Sequence, residues 1–506
     1  MEQFDPSLDK KIEFIREYFH NGFDIIIRRF FVKHKDGKSR EMAVFFIDGL
    51  SDKNAINSDI MQPLLSPIFT IEAADNEIFK YIFSCVINSS ESSIGKKITE
   101  MTTAVLNGDS ILLIEGISEF AILGTKKFDY RAVTEPDTDV VVRGPREGFV
   151  ENMQTNISLL RRKIKHPGFT IENRRIGRFT NTNVCIIYLE GVTDKGIVKE
   201  INRRMDKLDI DGILDSGYVE QLTEDSPLSI FPTVASHEKP DIIAAKILEG
   251  KVAIMIDGTP GVLTVPAIFT ESFHNSEDYY SRFYYFSLIR LIRWIAFLAS
   301  TLLPGIYIAI TTYHQVLLPS NLLLVMAAAE KSTPFSTGSS ILVMSIIYEI
   351  LREAGVRLPR PVGQTVSIVG ALVMGDAAVS ANLISAPVLI IVALATISSF
   401  VNANLYETAA VLRILFIFAG WSMGGFGLLM LAMFLMVYLT SMKSFSVPYL
   451  SPIAPFDKSG FREVFVRFPL WMLKKRPPLM SANVTRMADN LRPKPTEQTS
   501  KGNKSL

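Results

Sequence analysis

The sequence predicts an α/β soluble N-terminal region of two subdomains followed by an α-helical transmembrane bundle. The bundle has about four spans plus a re-entrant hairpin or a packed loop. Three observations predict this. Charged residues are 21 % of the 506-residue chain, yet only 10 of the 149 residues from Trp294 to Met442 carry charge, against 95 of the other 357. About a quarter is normal for soluble protein, and a long region far below it reads as membrane. Ahead of that region, strand and helix patterns alternate in two clusters. Residues 1–293 carry 36 basic and 43 acidic side chains, whereas the tail from Lys443 carries 12 and 4. A soluble globule throughout, a disordered chain and a disulfide-stapled scaffold are excluded. The net charge of +1 leaves no footprint for nucleic acid. Cys85 and Cys185 stand alone and far apart, as in a reduced compartment.

In the first cluster, residues 40–50 read as a strand ending in a turn, and Val105 to Gly116 as a hairpin around Asn107-Gly108. In the second, Asn183 to Leu189 is strand-like, Lys195 to Leu208 helical, Asp241 to Glu249 helical and Val252 to Ile256 a buried strand. Asp257-Gly258-Thr259-Pro260-Gly261 reads as a tight turn between strands. The joint Arg131 to Phe149 is dense in Pro, Gly and charge, and leads to a helix with Arg161, Arg162, Lys163 and Lys165, read as a solvated face or subunit contact. The predicted divisions are 1–130 (first subdomain), 131–165 (joint and helix), 166–290 (second subdomain), 291–442 (membrane helices) and 443–506 (basic cytoplasmic tail, disordered after about 480). No internal repeat is apparent.

A span needs about 20 predominantly apolar residues. Candidates are 291–313, 384–404 and 414–440, with a weaker, small-residue segment at 361–382. Between the first two, Leu317 to Arg360 holds two apolar stretches, 322–329 and 340–351, which fit either a re-entrant hairpin or an external loop. The first residues contain no apolar signal sequence, and Arg282, Arg290, Arg293 and the basic tail flank the spans, so both ends are expected in the cytoplasm.

In the 361–382 segment, Gly363, Ser367, Ala371 and Gly375 recur every four residues and share one helix face, a pattern that allows close helix packing. Glu349, Arg352, Glu353 and Asp376 are ionisable groups at or near membrane depth, where charge is costly and tends to be functional. No Walker A sequence, strand-to-helix GxGxxG, GxSxG elbow or metal-ligand spacing occurs, so neither enzyme, metal nor cofactor is expected.

Several motifs in fixed order resemble the A subunits of spore germinant receptors, the GerA family. They are Glu135-Pro136-Asp137-Thr138-Asp139 running into Val142-Arg143-Gly144-Pro145-Arg146-Glu147-Gly148-Phe149, Pro240-Asp241, Leu248 to Val252, and Asp257 to Pro260. The membrane half adds Leu318-Pro319, Pro334-Phe335, Glu349 to Gly355, Arg357-Leu358-Pro359 and Gly363 to Gly375. The resemblance covers roughly 40–480. It implies an integral protein of the inner spore membrane that works with a transporter-like B subunit and a lipoprotein C subunit, and that oligomerises into a nutrient-gated cation channel.

Two mechanisms follow. In a channel, the pore lies on an oligomer axis, lined by Gln364, Thr365, Ser367, Gly370 and Ala371, with Val366, Val369 and Val373 as a dewetting gate. In a sensor or scaffold, the helices only anchor the chain in membrane lipid. Glu135, Asp137, Asp139, Arg143, Arg146 and Glu147 then couple the subdomains.

Overall fold

The computed structural model describes residues 4–33, 39–66, 77–85, 91–127, 143–358, 375–477 and 479–487. The chain forms two compact units. One comprises Met1–Glu224, Val234–Pro266 and Pro469–Leu506, the other Asp225–Thr233 and Ala267–Phe468.

The first unit holds two antiparallel five-stranded sheets. Sheet one has the order β1-β2-β4-β5-β3 and sheet two the order β6-β7-β9-β10-β8. The strands are β1 (Ile25–Lys33), β2 (Ser39–Ile47), β3 (Ser92–Gly95), β4 (Ser110–Ile114), β5 (Phe120–Leu123), β6 (Phe169–Ile176), β7 (Thr182–Leu189), β8 (Ala235–His237), β9 (Val252–Ile256) and β10 (Val262–Val265). Central strands β4 and β9 are buried along their whole length, as strands covered on both faces must be.

The two sheets are one plan used twice. The helix Ile98–Leu106 with β4 and β5 recurs as Pro240–Leu248 with β9 and β10, displaced by 142 residues. Three left-handed glycines keep the same displacement: Gly49 and Gly191, Gly108 and Gly250, Gly116 and Gly258. The sequence reading found no repeat because these marks are short Xaa-Gly turns scattered among different core side chains.

Asn107-Gly108 also corrects a local expectation. Val105 and Leu106 end a helix rather than open a hairpin, and Gly108, at φ +99°, lies just past the helix end. A left-handed glycine stops a helix as readily as it turns a hairpin.

The chain after the last long helix returns to the first unit. Ala482 N donates to Val192 O at 2.8 Å, and Arg476 Nε donates to Leu248 O at 2.7 Å. Gly250, at φ +98°, permits this approach, since a Cβ there would stand 2.7 Å from Met480 O. Gly250→Val adds backbone strain of about 1–3 kcal/mol to that clash. Trypsin should then release the C-terminal segment faster, and unchanged cleavage would mean the segment is not seated there.

The second unit is helical. Its longer helices among the described residues are Phe283–Thr312, Ser320–Lys331, Thr337–Arg357, Ala386–Phe400 and Tyr406–Ser441. Among the described residues, two helices are long and apolar enough to cross a membrane, Phe283–Thr312 and Ala403–Ser441, against about four expected. The reasons are local. Ala386–Phe400 has 15 residues, short of about 20. Most of 361–382 lies outside the described residues. Thr337–Arg357 carries four charges, Glu349, Arg352, Glu353 and Arg357, towards its C-terminal end.

The expected span 414–440 is broken at Gly424, where φ is +59° and ψ −140°. A straight helix would separate its ends by about 50 Å, yet Thr408 Oγ1 donates to Ile230 O while Ser229 Oγ lies 3.7 Å from Met442 Sδ. Gly427 also packs on Ala419. The helix therefore doubles back as a hairpin with limbs 406–423 and 425–441. Outward-facing Ile390, Ile397, Phe426, Met433 and Val437 are all more than 60 % exposed, an apolar surface suited to lipid.

Candidate functional site

The two α/β modules meet at a buried ion pair. Asp24 precedes β1, and Arg161 sits on the helix Met153–Lys163 that precedes β6. Arg161 donates Nε and Nη2 to the two carboxylate oxygens at 2.7 and 2.9 Å, and neither side chain reaches solvent. Its guanidinium lies 4.7 Å from the Phe169 ring centroid, and its Nη1 has no partner. Beside it, Phe23 N donates to Ile171 O at 3.1 Å.

The expected solvated face is thus wrong for Arg161, because a salt bridge across the module seam absorbs it. Arg162 and Lys163 face Glu147 at 3.8 and 3.0 Å, and Lys165 donates to Asn107 at 2.7 Å. Of the expected coupling residues, Arg143 and Arg146 are exposed, while Glu135, Asp137 and Asp139 lie outside the described residues. Burial, with the Asp24 and Asp257 charges behind it, pushes the Cys185 thiol up to about 12, so it is an inert core group.

In the helical unit a second carboxylate is buried at the start of the first long helix. Asp278 receives Arg290 at 2.9 Å and Arg293 at 2.9 Å. Arg290 continues to Glu463 O and Arg293 to Phe273 O, and Asn402 Nδ2 donates to Arg293 O at 2.7 Å. Two of the three arginines read as flanking charges, Arg290 and Arg293, are therefore buried, not displayed.

The break at Gly424 has its backbone satisfied from the end of that same helix. Tyr313 Oη donates to Trp421 O at 2.8 Å and Ser422 O at 3.1 Å, and Gly425 N donates to His314 Nε2 at 3.2 Å. Irregular backbone at membrane depth persists only where protein or water supplies such partners.

Two glycines bring the first helix and the 406–423 limb into backbone contact. A Cβ on Gly420 would stand 2.5 Å from Gly305 O, and one on Gly305 would stand 2.5 Å from Phe416 O. Sequence reasoning sought close packing on Gly363, Ser367, Ala371 and Gly375 instead. Of these, Gly375 is buried and faces Leu389. The other three, with Gln364, Thr365, Val366, Val369, Gly370 and Val373, lie outside the described residues.

The ionisable residues read at membrane depth form a chain. Arg352 Nε donates to Glu349 at 3.0 Å, Arg352 faces Glu353 at 3.7 Å, and Glu353 pairs with Arg357 at 2.7 Å. Asp376 is exposed. Sequence reasoning missed two members: Tyr406 Oη donates to both Glu349 oxygens at 2.7 and 3.0 Å, and Arg413 Nη1 lies 3.7 Å from Glu349 Oε1. Arg413 stands among apolar residues in a span, and that isolation was the available signal.

The family model for "Bacillus/Clostridium GerA spore germination protein" matches residues 13–479. Spore germination protein KA of Bacillus subtilis (strain 168) is 40 % identical over 505 residues, 99 % of this chain and 92 % of that protein. Spore germination protein GerLA of Bacillus cereus is 34 % identical over 94 % of this chain and 96 % of its own length. Among solved structures, the N-terminal domain of the A subunit of the Bacillus megaterium spore germinant receptor GerK3 aligns with 53 % of this chain and 97 % of itself, at 31 % identity and a TM-score of 0.41. The chain belongs to the GerA family, the A subunits of spore germinant receptors.

Proposed function

We propose that this chain is the membrane subunit of a nutrient germinant receptor and that it forms, as an oligomer, a nutrient-gated cation channel. It works without catalysis, beside a transporter-like B subunit and a lipoprotein C subunit. It sits in the inner spore membrane, with its α/β modules and basic tail in the spore core. The observation that carries the reading is polar structure inside an apolar helical unit: the broken helix at Gly424 and the buried Arg413 facing a partly buried Glu349. Such groups are costly in lipid and gather where a bundle interior or water path receives them. One protomer has too few helices to enclose a wide path, so the pore would fall on a symmetry axis.

Val369→Ala or Val373→Ala, at matched subunit levels, should release potassium from spores with no nutrient present, because a narrowed apolar gate would be widened. Normal retention with an intact nutrient response would remove the gate from this segment. If the purified wild-type receptor in liposomes conducts nothing on nutrient addition, the remaining reading is a sensor that anchors by its helices. The buried Asp24–Arg161 seam favours that second reading, since it makes the paired modules a rigid relay.

A further inference from the structure

Pro304 lies inside the helix Phe283–Thr312. It has no amide hydrogen, so the carbonyl of Ser300, four residues back, loses its helical donor. In lipid such a carbonyl must find another partner. Arg413 supplies it: Nε, on the 406–423 limb, donates to Ser300 O at 3.0 Å. The same guanidinium turns Nη1 to Glu349 on a third helix, at 3.7 Å. Arg413 is 1 % exposed, and among the described residues its Nη2 has no partner, which leaves it a hydrogen bond to that carbonyl and a looser ion pair with that carboxylate. Tyr406, from the same limb as Arg413, also donates to Glu349.

We propose that Arg413 is a positioning residue for gating. Held by the carbonyl that Pro304 frees, it tethers Glu349 and so fixes the helix Thr337–Arg357 against the 406–423 limb. The gating consequence rests on the channel reading. The tether itself does not. One guanidinium hydrogen-bonds a carbonyl on one helix and ion-pairs with a carboxylate on another, which a lysine ammonium, as a point charge, cannot do in the same geometry.

The experiment has two readouts on the intact receptor. The first is nutrient-independent potassium release from spores at matched subunit levels. The second is the melting temperature of the detergent-purified receptor for Glu349→Gln, Arg413→Lys and the pair. The tether predicts strongly non-additive melting shifts and a basal leak raised about tenfold in each single variant.

Pro304→Ala separates positioning from plain stability. It restores an N–H that competes with Arg413 for Ser300 O and also removes a helix-breaking residue. A merely structural role predicts a tight, equally or more stable receptor. The proposal predicts a leak at normal or raised stability. Additive melting shifts overturn the tether. Non-additive shifts with no leak, in spores where Val369→Ala does leak, overturn its gating role and leave the channel reading standing. If Val369→Ala is also tight, it is the gate reading that fails, and the melting cycle alone decides the tether.

Discussion

Gly420→Leu will remove the receptor from the membrane. At this crossing the backbones of Phe283–Thr312 and the 406–423 limb touch, and even a methyl group on Gly420 would stand 2.5 Å from Gly305 O and 3.1 Å from Gly305 Cα. Neither contact can yield by rotating a side chain, so the helices must separate. Overpacking a core commonly costs about 1–3 kcal/mol, and an isobutyl group between two backbones belongs at or beyond the upper end. Separation would also withdraw Arg413 and Phe416, on the same limb, from Ser300 and Gly305. The check is subunit abundance in spore membranes by immunoblot, with Met423→Leu, at an exposed site on the same limb, as the tolerated control. Wild-type abundance and melting for Gly420→Leu would mean the two helices do not cross there.

Much of the fold was legible because its signals are local. β2, β7 and β9, with the helices Lys195–Met205 and Pro240–Leu248, follow from runs of apolar residues and from turn residues at their ends. The doubled α/β plan was harder to see. It is written in three glycine turns at a fixed displacement of 142 residues, and glycine marks backbone geometry without fixing which strand pairs with which. In the helical unit, composition reported apolarity but not direction. The run 414–440 reads as one span, and only the dihedral angles of Gly424 show the chain turning back.

The candidate site was less legible, for a physical reason. Glu349, Arg352 and Glu353 are close in sequence and share a helix end, so their clustering was visible in the sequence. Their partners Tyr406 and Arg413 are more than fifty residues away. Pro304 was not singled out in the sequence, yet its missing hydrogen creates the acceptor that Arg413 occupies. Arg161 failed the other way. It sits in a basic run with Arg162 and Lys163, and helix periodicity alone does not say which of three neighbouring cations meets a carboxylate 137 residues earlier.

Arg161→Ala should destabilise the soluble modules more than any other single truncation of a charged side chain in them. The substitution leaves Asp24 fully buried without its cation. Breaking a buried pair from one side costs about 3–5 kcal/mol, far more than the pair contributes relative to apolar side chains of similar size. The double variant Asp24→Leu with Arg161→Met should therefore recover most of the melting temperature that Arg161→Ala loses. If Arg161→Ala melts like wild type, the carboxylate has reached water and the seam is not closed as described. The recovered double variant then asks a question that stability cannot. It restores packing but not the directional, two-bond register between the Met153–Lys163 helix and the residue before β1. If nutrient-triggered potassium release survives in it, the seam holds the modules together and nothing more. Loss of that response at wild-type stability and abundance would show that the register itself carries the signal between modules, which is the role the sequence assigned to the Glu135–Phe149 joint.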